Sequence, residues 1–368
     1  MNTQRVVPPT VAHPDTGSLV ESAVRALPKM YLPDTAQFVQ TVRRGEGGLV
    51  PEGTNLRYAA IVALGAARLD TARQRAILAG TDAAQLAERV AEQARSSTDL
   101  GAVALAGWAS AEVCGVADDA LVDRLVAAAH SSRPVPTVDL SWALTALLAV
   151  RDLRPVTADA DRIAARLRTL QGAAGVFPHM LPRDSLPWYR AHVGCFADQV
   201  YPIQALARHH AATGEANSLT AAERCAVQIV RLQGSSGQWW WHYDARTGDV
   251  VEGYPVYSVH QHAMAPMALH DLRAAGGTDH QPAITSGLAW VFERPEVSSP
   301  MIDPATGAIW RKVGRRERRK AVRSIRATTT ALRPRLRLGA LDRIFPPTVI
   351  DYECRPYELG WLLYAWLR

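Results

Sequence analysis

Along this chain, stretches that are apolar on every side alternate with stretches that are apolar on one side only. The fully apolar stretches share a form: an acidic or polar residue, then an Ala/Leu-rich run. They open at Asn55, Asp99, Asp139, Asp198, Gln261 and Tyr352. A helix without a polar face is a helix buried on both sides. Between them, Ala84–Arg95, Ala120–His130, Ala158–Leu170, Ala221–Leu232 and Pro282–Phe292 carry apolar residues at helical spacing among polar ones, as amphipathic helices do. A buried helix followed by an amphipathic one, repeated six times, predicts an all-α fold. The arrangement is a single (α/α)6 toroid of six inner and six outer helices around a central cavity.

Three segments interrupt the alternation. Residues 1–16, with Pro8, Pro9 and Pro14, read as a flexible arm ahead of a toroid domain spanning 17–368. Residues 176–195, with Pro178, Pro182, Pro187, Trp188 and Tyr189, read as an ordered aromatic loop over one mouth of the ring. Residues 297–350 form a basic insertion, expected to be partly helical and mobile. No leader-like apolar segment opens the chain and no run reaches the ~18–20 apolar residues of a membrane span, so a cytoplasmic location is the default expectation.

Charge concentrates in the insertion. Arg311 to Arg337 holds twelve Lys/Arg and one acid, Glu317, whereas the whole chain carries +6, which leaves −5 elsewhere. Such a run is a solvated face or a contact for an anionic partner, such as an anionic membrane surface. Interleaved aromatics for base stacking are missing, which argues against nucleic acid. The four cysteines, Cys114, Cys195, Cys225 and Cys354, lie far apart without a CxxC pair, so they read as free thiols. No metal-ligand spacing stands out, and neither a metal nor a cofactor is expected.

Two outer helices end alike, in Gln171-Gly172-Ala173-Ala174-Gly175-Val176-Phe177 and Gln233-Gly234-Ser235-Ser236-Gly237-Gln238-Trp239. In both, glycine ends the helix in a left-handed turn, the Gln amide can bond backbone groups, and the aromatic ring packs back. With this Q-x-x-x-G-x-[FW] form the chain resembles the squalene/hopene cyclase and protein prenyltransferase superfamily, whose QW repeats look like this. The resemblance implies the toroid. It also implies an acid motif on the inner helix upstream of the first copy, where Thr137-Val138-Asp139-Leu140 retains Asp139 alone of the family's acidic residues. In that family the matching position donates a proton to an isoprenoid.

Asp139 and Asp198 open successive inner helices, each one helical turn from an aromatic residue, Trp142 and Tyr201 respectively. Asp at such a position is an ordinary N-cap; it is also a carboxylate aimed at a partly desolvated mouth, where its pKa rises. Trp239, Trp240 and Trp241 cannot all enter one core, so at least one faces the cavity. Tyr254, Tyr257, His260 and His262 follow, and a phenol beside an imidazole suits general acid/base work. Glu353, Arg355 and Tyr357 open the last inner helix as an ion pair or an anion contact.

The candidate catalytic set is therefore Asp139, Asp198, Tyr257, His260 and His262. The candidate substrate-binding set is Trp142, Tyr201, Trp239, Trp241, Tyr254, Glu353, Arg355 and Tyr357. Following the resemblance, the first reading is a terpenoid cyclase-like enzyme that acts on an isoprenoid by acid-initiated cyclisation or isomerisation. The alternative is a polysaccharide-active toroid, such as a uronate lyase, epimerase or glycoside hydrolase, with a small-molecule or glycan substrate. A non-catalytic scaffold that uses the basic run is the third. A deep apolar pocket ending in one acid would favour the first, and an open cleft ringed by polar groups the second.

Overall fold

The computed structural model describes residues 15–317 and 321–367. Its helices form the all-α toroid. The inner ring consists of α2 (Leu56–Ala66), α5 (Leu100–Cys114), α7 (Thr137–Val150), α9 (Ala197–Thr213), α11 (Ala265–Ala274) and α15 (Pro356–Trp366). Each packs on the next, and α15 returns to α2. The outer ring holds α4 (Ala83–Ala94), α6 (Asp119–His130), α8 (Thr157–Leu170), α10 (Ala216–Arg231) and α12 (Gln281–Glu293). Its sixth member is α1 (Thr16–Ala26), which packs against α15 and so joins the two ends of the chain. The sequence pattern had given five of these outer helices. The proposed arm falls almost wholly on residues 1–14, which lie outside the described residues.

The inner helices are apolar all round because they are covered all round: every residue of α5 from Gly101 to Ala111 is buried. The outer helices bury one stripe, such as Leu86, Ala87, Val90, Ala91 and Ala94 in α4. The two glutamine turns act as staples. Gln171 Nε2 donates to the carbonyls of Gly175 (2.6 Å) and Ala221 (2.9 Å), and Gln233 Nε2 donates to those of Gly237 and Ala283 (both 2.9 Å). Each amide thus closes its own turn and accepts the start of the next outer helix as a second anchor. The motif reports helix packing and carries no chemistry.

Short strands cover the mouth where the inner helices begin. Val193–Cys195, His242–Asp244 and Val250–Glu252 form one antiparallel sheet, while Lys312–Gly314 lies between Val256–Tyr257 and Val349–Asp351 in another. The basic insertion also contains α13 (Ala321–Leu332) and α14 (Ala340–Ile344), the seven-residue Thr71–Ile77 being α3. Part of the cationic run is turned inward. Arg315 and Arg326 turn inward, each 3.1 Å from the buried Glu252 carboxylate and each also paired with Asp342. Lys312 pairs with Asp351 at 2.8 Å. Arg316, Arg333, Arg335 and Arg337 remain exposed to solvent, and Arg318, Arg319 and Lys320 of the same run lie outside the described residues. Among the described residues no helix is long and apolar enough to cross a membrane.

Ring closure rests on a close backbone approach. Gly65 in α2 faces Gly360 in α15 so tightly that a Cβ at 65 would meet the Gly360 carbonyl oxygen at 2.2 Å. Only glycine permits this spacing. Gly65→Ala must push the first and last inner helices apart, and overpacking of this kind costs about 1–3 kcal/mol. Thermal or urea unfolding of Gly65→Ala against Gly107→Ala, where the nearest atom would stand at 3.6 Å, checks it: only the former should be strongly destabilised.

Candidate functional site

The inner-helix N-termini converge on a cavity of about 430 Å³, within the ~300–1,000 Å³ of ordinary small-molecule sites. Asn55, Arg57, Tyr58, Trp142, Cys195, Tyr201, Trp241, Tyr257, His260, Arg311 and Tyr357 all reach it. Ile61, Val138, Ala197 and Met264 line it as well, so polar groups are set into a largely apolar and aromatic wall, and the cavity opens to solvent.

Its first cluster is built on Arg57. Asn55 caps α2 by accepting from the Arg57 N–H, which fixes the arginine in the first turn. Its guanidinium bridges two carboxylates: Nε donates to Asp99 at 2.6 Å and Nη1 donates to Asp139 at 2.9 Å. A further Nη2 contact reaches Asp99, and Arg57 lies 5.4 Å from the Trp142 ring centroid. Asp99 is the N-cap of α5 and accepts from the Gly101 N–H. Asp139 is not a cap; it sits in the first turn of α7, between Val138 and Trp142, both of which line the cavity.

The two carboxyls are driven in opposite directions. Burial raises Asp139 and outweighs the opposing pull of Arg57. At the more exposed Asp99 burial also pushes upward, but the Arg57 hydrogen bonds prevail and hold it below the usual range. Neighbouring carboxyls with separated pKa values form an acid beside a base.

The second cluster is cationic. Arg311 packs its guanidinium 5.0 Å from the Tyr257 ring centroid and pairs with Glu353 (3.5 Å) and Glu358 (3.4 Å). Arg355 shares Glu353 at 3.4 Å and donates to the Tyr58 hydroxyl at 3.1 Å. Burial carries the Glu358 carboxyl up to about 7, against the pull of Arg311 and Arg355. A half-protonated acid beneath two arginines leaves this wall with positive charge to spare.

Aromatic rings join the clusters. Trp142 meets Tyr201 edge-on at 4.9 Å, Trp241 stacks on His242 at 3.9 Å, and Tyr257 lies 5.0 Å from His260. A π-helical turn, His260–Met264, ahead of Pro266, places His260 at the cavity; such turns recur at functional sites. Burial lowers His260 to about 3 and raises the Tyr257 phenol, so both stay neutral across the ordinary pH range. They can orient a ligand; a proton carrier near neutrality must be another group.

The third cluster comes from both ends of the aromatic loop. His179 Nδ1 lies 3.1 Å from the Asp198 carboxylate, which also accepts from the Cys195 N–H at 2.7 Å. The ligand atoms of all three side chains fall within 4.8 Å of one another. Their separation along the chain hid this set from the sequence, where no metal-ligand spacing stood out. All four cysteines are free thiols, as their spacing implied.

Of the residues picked out in the sequence, Trp142, Tyr201, Trp241, Tyr257, His260 and Tyr357 line the cavity. Asp139, Asp198, Glu353 and Arg355 stand just behind its wall, in the clusters described. His262 is fully buried, with Trp366 donating to its carbonyl. Trp239 is core, packed on Phe196. Tyr254 bonds Glu296 and lines a separate pocket beside Trp240 and Arg315. Arg57, Tyr58 and His179 were missed, and Arg311 was named only as the start of the basic run. Among the missed residues only Arg57 left a signal, an arginine in the first turn of an otherwise apolar helix.

No protein-family model and no curated protein sequence matches the chain. Its fold matches solved structures over nearly its full length. One is a D-mannose isomerase (13% identity, 98% of each chain, TM-score 0.64). Another is a glycosyl hydrolase family 88 protein from Bacteroides vulgatus (10% identity, 95% of this chain and 97% of that, TM-score 0.58). A third is an unsaturated glucuronyl hydrolase specific for heparin (14% identity, 95% of each chain, TM-score 0.56). Identity this low carries the toroid and nothing finer. The isoprenoid reading is overturned: the proteins that share this toroid are named for sugars, and the cavity is open to solvent where cyclisation of an isoprenoid needs a closed pocket.

The buried acid of the cationic wall gives a pH test. Folding lifts Glu358 from 4.5 to about 7, so between those values the folded chain holds a proton that the unfolded chain has released. The associated stabilisation is complete below the unfolded pKa and is lost as pH rises through the folded one. Melting temperatures from about pH 4 to about pH 8 should therefore fall for the wild type relative to Glu358→Gln. Parallel curves would show that Glu358 does not titrate in this window.

Proposed function

We propose that the chain is a carbohydrate-active enzyme, a hydrolase of acidic saccharides that binds a uronate-bearing sugar in the central cavity. The observation that carries this reading is the pairing of Asp139 with Asp99 on Arg57, one carboxyl raised and its neighbour lowered, at a cavity whose other wall is cationic. Arg311, with spare positive charge, suits a substrate carboxylate. Trp241, part-exposed at the cavity wall, offers the aromatic surface for a sugar ring. Asp139, in the first turn of α7 beside the lining residues Val138 and Trp142, serves as the proton donor to the departing glycosidic oxygen, while the ionised Asp99 holds Arg57 in place against it. Arg57 keeps the two in register. Tyr257 and His260, both neutral, supply hydrogen bonds to sugar hydroxyls. The catalytic candidates narrow to Asp139, with Asp99 as its positioning partner on Arg57; Asp198 belongs to the cluster with His179 and Cys195. The matched glucuronyl hydrolase lends support through its named substrate class.

Release of reducing ends from saturated and unsaturated uronate oligosaccharides, beside neutral glucans and mannans, tests the reading. The wild type should cleave the acidic set and spare the neutral one. Asp139→Asn should lower kcat by about 10²–10⁴-fold with little change in KM, the size of a lost general acid. Trp241→Ala should raise KM by roughly 2–10-fold, as the loss of ~0.5–1.5 kcal/mol of stacking requires, and leave kcat nearly intact. Cleavage confined to neutral saccharides, or full activity in Asp139→Asn, would defeat it.

A further inference from the structure

The cluster at the foot of the aromatic loop is not absorbed by acid–base hydrolysis. His179 offers an imidazole nitrogen, Cys195 a sulfur and Asp198 a carboxylate oxygen, all within 4.8 Å of one another. Nitrogen, sulfur and oxygen donors in one place are the preference of zinc and its borderline neighbours, and not of magnesium or calcium, which take oxygen alone. A tetrahedral ion with bonds of about 2.0–2.3 Å holds its donors roughly 3.3–3.7 Å apart. The 3.1 Å gap between His179 Nδ1 and Asp198 is close to that spacing, so an ion can take the place of the shared proton with small side-chain movement.

The backbone around the three donors is tied down from several sides. Gln199, one residue past Asp198, accepts from the Phe177 N–H at 2.7 Å and donates to the carbonyls of Phe177 and Cys195, both at 3.0 Å. It thereby clamps the segment that carries His179 to the strand that carries Cys195. The His179 N–H donates to Val193, and its carbonyl accepts from Thr137 at the start of α7. A Cβ at Gly194 would stand 2.0 Å from the Phe177 carbonyl, so the close approach of these strands requires glycine there. These ties hold the backbone that carries the three donors in place, so the donors meet without further ordering of the chain.

Charge and access agree. A thiolate and a carboxylate neutralise a divalent ion, and the imidazole adds a donor without charge. Three protein ligands leave one tetrahedral position, the arrangement of sites that keep a place for water or substrate. Here the open side is the central cavity, because Cys195 lines it and the His179 side chain is 41% exposed.

We propose that His179, Cys195 and Asp198 bind one zinc-class divalent transition ion with its fourth position open to the central cavity. The inference goes beyond the saccharide reading and stands apart from it, since its readout is metal binding and not turnover.

The test uses the full chain, stripped with a chelator and titrated with Co²⁺, then with Zn²⁺ against a chromophoric chelator. One equivalent of Co²⁺ should bind, with a thiolate-to-cobalt charge-transfer band in the near ultraviolet and the visible bands of a tetrahedral site. Zn²⁺ should displace it. Cys195→Ser should abolish the charge-transfer band, and His179→Ala and Asp198→Asn should each weaken affinity by at least about tenfold. Cys114→Ser and Cys225→Ser should leave both intact. Failure of the wild type to bind an equivalent, or a band that survives in Cys195→Ser, would overturn the proposal and reduce the cluster to a His179–Asp198 ion pair beside a thiol. The wild-type titration decides the matter even if a variant does not fold.

Discussion

The Arg57 guanidinium is the interaction on which the site depends. It starts in the first turn of one inner helix and bonds carboxylates in the first turns of the next two. Three helices that would otherwise meet only through apolar flanks are thereby locked at their N-terminal ends. Space for the lock exists because Gly101 has no side chain: a Cβ there would stand 2.5 Å from the Arg57 Cζ and 2.6 Å from an Asp139 oxygen. Removing either partner from such a group costs more than the pair contributes, because the other charge stays behind half-buried. Stability of the mouth and readiness of Asp139 are thus the same arrangement viewed from two sides.

The remainder of the mouth follows the same economy. Several cations that a linear reading assigns to solvent are folded over the ring and paired, while Arg316, Arg333, Arg335 and Arg337 stay exposed. Arg311 reaches Glu353 and Glu358, while Arg315 and Arg326 converge on Glu252. Arg323 extends over Trp241, 5.1 Å from its ring centroid, so the insertion roofs the aromatic wall of the cavity. Burying a charge is tolerable only with partners, and the acids that serve here, Glu252, Asp342, Glu353 and Glu358, come from three separate stretches of chain. The cavity therefore carries an acidic sector at Arg57 and a cationic one at Arg311, joined by Trp142, Tyr201, Trp241 and Tyr257.

The glutamine turns illustrate how a motif can be read correctly at one level and wrongly at the next. Gln171 and Gln233 staple outer helices as their spacing implied. The same staple suits any toroid, whatever its cavity does, since function resides in the groups that line the cavity and not in those that hold helices together. Extending the motif to isoprenoid chemistry took a packing device for a catalytic signature. Asp139 lies inside the first turn of a buried helix, beside the lining residues Val138 and Trp142, whatever the cavity does.

Periodicity by itself determined the inner and outer helices, because burial on two sides or one is written into every turn of the helix. It also marked where inner helices begin, and with them Asp139, Trp142, Tyr201 and Tyr357. Which of three successive tryptophans reaches the cavity was decided by the fold: Trp239 enters the core and Trp241 the wall, through a backbone path that no local pattern records. The same holds for Arg57 with Asp99 and Asp139, for Arg311 with Glu358, and for His179 with Cys195 and Asp198. Helix formation is governed by neighbours three or four residues away, whereas these sets join residues up to 82 positions apart. Only closure of the ring brings them within bonding distance, and only the burial that closure creates drives their pKa values apart.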